Sequence, residues 1–141
     1  MKRTALAVAV FLAACVSVEE GVTVSRVFVV PGAGLAPGAV YAAIDNGGRV
    51  ADTLIGVELE DGSAVMLHDA SMHLMQRVAV PARGTLWLKP GGLHGMAAHV
   101  SGARGDTARV TFHFTASGQI AAHAMVIDYA QVDSAVGRGG F

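Results

Sequence analysis

The sequence predicts an all-β domain, a sandwich or barrel of about seven to nine short strands. Three observations carry that expectation. Apolar runs recur at intervals of roughly 8–12 residues with turn residues between them. The chain of 141 residues holds eighteen glycines against four prolines, which suits tight turns better than long helices. No segment sustains a helical apolar period with caps at both ends. Hydrophobic residues make up 52% of the chain and charged residues 15%, ample material for one core.

Taken in order, the chain opens on Met1-Lys2-Arg3 and the apolar run Ala5 to Ala14. Ten such residues are too few for a bilayer span, which needs roughly 20. They suit a signal peptide, assigned to residues 1–14. Leu12-Ala-Ala-Cys15 resembles the bacterial lipobox, which makes Cys15 a candidate lipidation site and residues 15–21 a tether. The alternative is an ordinary signal peptide cleaved near Ala14. Either way the protein is expected in the periplasm or cell envelope, held to the membrane if Cys15 carries lipid. Val16 stands where an inner-membrane retention signal has Asp, which weighs toward an outer membrane. Cys15 is the only cysteine, so no internal disulfide is available.

From Val22 the pattern turns to β. Val22, Val24 and Val27 to Val30 make a first strand, closed by Pro31-Gly32. Ala39 to Ile44 is a second, stopped by Asp45-Asn-Gly-Gly48. Asp52 to Glu58 and Ser63 to His68 are the third and fourth, joined through Asp61-Gly62. Met72 to Val80, Thr85 to Leu88 and Leu93 to Val100 follow. Thr107 to Phe114 alternates cleanly, and a last strand runs from Gln119 to Tyr129. The domain is set at 22–130, with 131–141 a flexible tail. Formal net charge is -1 with scattered basic residues, which argues against a nucleic-acid footprint.

One constellation carries chemistry. Lys89-Pro-Gly-Gly92 leads into Leu93-His94-Gly-Met96, and in extended backbone His94 and Met96 point the same way. His68 and Met72 are separated by Asp69-Ala-Ser71; if those three form a hairpin loop, the two side chains face each other. The set His68, Met72, His94 and Met96 contains two thioethers and no thiolate or carboxylate, which selects copper as Cu(I) over zinc, calcium or magnesium. A blue-copper electron carrier needs a Cys ligand that this domain lacks. Met66 and Met75 are candidate substitutes. His123-Ala-Met125, with His113 nearby, is a candidate auxiliary site. The bland alternative is that these residues only pack, as a lone Met or His often does.

Residues Leu88 to Met96, Tyr41 to Gly48 and the twenty-one residues between Met72 and His94 together resemble the PCu(A)C family of periplasmic copper chaperones. The family pattern is a His, often followed by Met, about ten residues, a Met, twenty-one residues, then His-x-Met. His68 departs from it, lying three residues before Met72 instead of about eleven. The resemblance implies a cupredoxin-like Greek-key fold. It also implies a Cu(I) chaperone, monomeric and not an enzyme, that supplies the copper subunit of a cytochrome c oxidase or a thiol copper-insertion protein. Copper storage or resistance, a copper oxidase, and a metal-free structural lipoprotein are the competing expectations.

Overall fold

A computed structural model describes residues 21–137. The expected signal peptide 1–14, Cys15 and the expected tether up to residue 20 lie outside the described residues, as does the end of the expected tail from 138. Nine strands form in chain order: β1 Val22–Val30, β2 Gly38–Asn46, β3 Asp52–Leu59, β4 Ala64–His68, β5 Val78–Val80, β6 Gly84–Leu88, β7 His94–Ala97, β8 Thr107–Phe114 and β9 Gly118–Val126. The sheet runs β1-β9-β8-β3-β4-β7-β2, and β1 pairs again with β2, so seven strands close on themselves. β5 adds to β3, and β6 adds to β2. The all-β, cupredoxin-like expectation holds.

Alternation places the barrel core. Val40, Ala42, Ile44, Val65, Leu67, Val110, Phe112, Ala124 and Val126 all point inward and are buried. β1 changes phase midway, from Val22 and Val24 to Val27 and Val29, and the cause is a bulge at Arg26 (φ 50°). One extra residue there flips the following side chains to the other face.

Several elements differ from the sequence expectation. The strand expected over 72–80 is reduced to Val78–Val80, because residues 69–73 curl around Asp69. The Asp69 carboxylate accepts the N–H groups of Ser71 (2.8 Å) and His73 (2.9 Å), a local alternative to the ladder. The strand expected over 93–100 shortens to His94–Ala97. The last strand stops at Val126, and the chain enters helix α1, Tyr129–Val132, followed by a π-helical turn, Asp133–Gly137. The missed signal is a capping box: Asp128 takes the N–H of Gln131, whose side chain returns to the N–H of Asp128. Residues 131–136, expected as tail, bury Val132 and Val136 with Val30, Ala39, Tyr41 and Ile127, a second small core outside the barrel. That helical cover buries Ala39 and Tyr41 on the outer face of β2.

Candidate metal site

β4 and β7 run antiparallel with Met66 opposite Met96, Leu67 opposite Gly95, and His68 opposite His94. Leu67, Gly95 and Ala97 face the core, so Met66, His68, His94 and Met96 share the outer face. Directly opposed residues hold their Cβ atoms about 4.5–5.5 Å apart. The rings of His68 and His94 have centroids 6.2 Å apart and are inclined by 31°. An imidazole nitrogen binds a metal at about 2 Å with its ring centre ~1.2 Å behind, so two rings on one ion have centroids ~5.2 Å apart at a tetrahedral angle and ~6.4 Å apart in line. The observed spacing falls within that reach at its wide-angle end, about 1 Å beyond the tetrahedral value.

The ring nitrogens are differentiated. His94 Nδ1 lies 2.7 Å from the carbonyl oxygen of Gly92, which only accepts, so Nδ1 carries the proton and donates. Nε2 is then left with its lone pair, the usual arrangement of a ligating histidine. His68 Nδ1 is buried with no hydrogen-bond partner. Such an orphan is costly unless something satisfies it, and a metal ion is one candidate. Gly92 is held in place by the turn: its N–H donates to Lys89 O (3.2 Å), and Lys89 N–H donates to Leu93 O (2.7 Å).

Gly95 has a packing reason for separating the two outward ligands. A Cβ there would stand 2.6 Å from Val65 Cγ1 and 3.0 Å from Val40 Cβ. Only a glycine lets β7 lie this close to both of its neighbours.

Met72 does not face His68 across a hairpin. The residue bridged to His68 is Leu74, and Met72 sits in the turn, at φ 65°, with 54% of its surface exposed. Its N–H donates to Asp69 O at 3.0 Å. Backbone bonds from His73 hold the Asp69 carboxyl below the ordinary carboxylate range, followed by the His73 ring, whose Nδ1 is 3.1 Å away. Met75 packs against the barrel core, apart from the exposed thioethers.

The second His-x-Met has a different neighbourhood. His123 stands opposite Arg109, and Met125 opposite Thr107. His113 faces Gln119, four residues from His123 along β9 and thus about 13 Å away. Its Nε2 lies 3.3 Å from Glu58 Oε2. His113 and the candidate auxiliary pair His123 and Met125 thus stand at opposite ends of the β8–β9 ladder. Among the described residues no group of three or more His, Cys, Asp or Glu side chains is placed to hold a metal. The donors assembled on β4 and β7 are imidazoles and thioethers, a soft set.

Sequence reasoning ranked Met66 below Met72, yet Met66 is the residue paired with Met96. The available signal was symmetry: Met66-x-His68 reads as the reverse of His94-x-Met96, which antiparallel pairing brings into register.

Comparison with known proteins agrees with this architecture. The fold is similar to a copper-bound PCuAC domain from PmoF2, with TM-score 0.68 and 23% identity over 77% of this chain and 94% of that one. An apo PCuAC domain from PmoF1 gives TM-score 0.64 and 25% identity over 77% and 95%. The solution structure of CuI-DR1885 from Deinococcus radiodurans gives 0.58 and 25% over 76% and 75%. No curated protein matches the sequence. The LpqE-like family model, named for a lipoprotein, matches residues 22–126. By that match, over most of its length, the chain belongs to the LpqE-like family of cupredoxin-like PCuAC domains.

Proposed function

We propose that the protein is a copper chaperone of the cell envelope, carrying Cu(I) on the outer face of β4 and β7. The observation that carries this reading is the cross-strand register, which pairs His68 with His94 at a ring spacing suited to one shared ion. Met96 and, by the family pattern, Met72 add thioethers. Copper is the cargo, not a resident cofactor, and the ligand chemistry suits a cargo. Thioether and imidazole bind without losing a proton, so Cu(I) leaves by stepwise exchange onto acceptor thiolates. The copper-binding neighbours support the metal. The PCu(A)C resemblance supports a cytochrome oxidase copper subunit, or the thiol protein that loads it, as acceptor. The family's lipoprotein name supports anchoring at Cys15, and no described helix is long and apolar enough to cross a membrane.

Competition with a chromophoric Cu(I) chelator under reducing conditions tests the reading. Wild type is expected to take up one equivalent and the His94→Ala/Met96→Ala protein none. Equal uptake by both, or none by wild type, overturns it.

A further inference from the structure

We infer that Met66 is a fourth ladder-mounted copper ligand, and that Met72 is a transfer ligand, engaged only as copper leaves. The inference rests on the Cu(I) carrier reading and concerns how the donors divide the work. The family pattern places a Met after its first His and has no counterpart to a Met two residues before it.

Met66 is opposed to Met96 as His68 is to His94, so the four side chains occupy adjacent rows of one pleated face. Rows on one face are about 6.6–6.8 Å apart along a strand, a span that flexible thioethers cross easily. Met66 is 48% exposed, while Val65 and Leu67 on either side are 6% and 3% exposed. Met in a core is a gap-filler; on an open strand face it fills no gap. The β3–β4 register, extended by one residue, sets Gly56 on the other side of Met66. With no side chain, Gly56 leaves that flank of the thioether uncovered.

Met72 is placed differently. β4 ends at His68, and the ladder contact beyond it belongs to Leu74. Met72 thus stands in a turn outside the ladder, on backbone that no strand fixes. Five donors exceed what a tetrahedral soft-metal site uses. The four on hydrogen-bonded strands fill such a site, so the outlying thioether binds only as one of them lets go, and holds the ion until an acceptor thiolate arrives.

Conservative Met→Leu variants of the mature chain separate the roles, because leucine keeps the volume and removes the sulfur. Cu(I) affinity is read by chelator competition and transfer by stopped-flow delivery to a dithiol peptide. Binding at each thioether is read from ¹³C-methyl shifts of methionine on addition of Ag(I). Met66→Leu is expected to weaken Cu(I) binding about tenfold, as Met96→Leu does, with the Met66 methyl shifting on Ag(I). Met72→Leu is expected to stay within about threefold in affinity and to slow transfer. An unshifted Met66 methyl with unchanged affinity in Met66→Leu overturns the inference while the carrier reading stands. A Met72→Leu protein that loses affinity but transfers normally also overturns it. Wild type that takes up no Cu(I) overturns both.

Discussion

The chain carries the tripeptide His-x-Met twice on outward strand faces, and the two copies sit in unlike company. His94-Gly-Met96 lies against a strand that offers His68 and Met66 in matching rows. His123-Ala-Met125 lies against a strand that offers Arg109 and Thr107. The first arrangement gathers four soft donors; the second sets a cation beside an imidazole, where a metal ion would be repelled. The middle residues differ too. Gly95 lets β7 approach Val40 and Val65, whereas Ala124 is 1% exposed and its methyl fills core space. A ligand pair on one strand is half a site, and the partner strand decides whether the other half exists.

The contrast is most directly broken at its ligands. Replacing His94 with Ala is expected to weaken Cu(I) binding by roughly 100-fold or more, while His123→Ala leaves it unchanged in the same titration. A comparable loss in both would make the partner strand irrelevant. The converse experiment builds the missing half: Thr107→Met with Arg109→His copies the β4 pattern opposite Met125 and His123. Stoichiometry should rise from one copper to two, and a double mutant that still binds one shows that register alone is insufficient.

The middle residue comes next in size. Gly95→Ala is expected to cost about 1–3 kcal/mol in chemical denaturation by overpacking against Val65 and Val40, and to lower copper affinity as β7 shifts. Ala124→Gly opens space instead and should leave copper binding alone.

A subtler difference concerns acid. Asp52 is buried, which by itself raises its pKa, but bonds from Ser117, Ala116 and Thr53 outweigh that and bring it down to about 2. Those bonds tie the β8–β9 turn to β3. A carboxylate depressed in the folded state stabilises it above its unfolded pKa of about 4, and the contribution disappears as pH falls through about 2. Asp52→Asn should therefore flatten the acid limb of the stability curve between those values, with copper affinity at neutral pH unmoved. An unchanged limb would place the acid sensitivity elsewhere.

The fold was legible wherever one face of a strand is buried and the other wet. Thr107–Phe114 was read to the residue because Val110, Phe112 and Phe114 alternate with polar neighbours. Reading failed where local chemistry competed with the pattern. Asp69 diverts its loop by accepting N–H groups from Ser71 and His73, and Asp128 caps a helix whose apolar residues read as tail. His94 and Met96 were visible from their spacing within one strand. Met66 stood among the candidates, but its pairing with Met96 was hidden, because it depends on a register set by residues some thirty positions away. The orienting carbonyl of Gly92 was hidden too, since no sequence rule marks which backbone oxygen will meet a ring.

The seam that closes the barrel joins β1 to β9, the first strand of the chain to the last. A chain emerging N-terminus first has every residue of the β4–β7 face in hand once position 97 is out. It cannot complete the cylinder until position 126 follows. Such long-range closure is slow relative to local pairing. During that interval β1 has only β2 to pair with, and a half-built sheet with open edges is the species most exposed to aggregation. The β4–β7 face and the closed barrel are thus finished at different moments in the life of one molecule, the platform before its vessel.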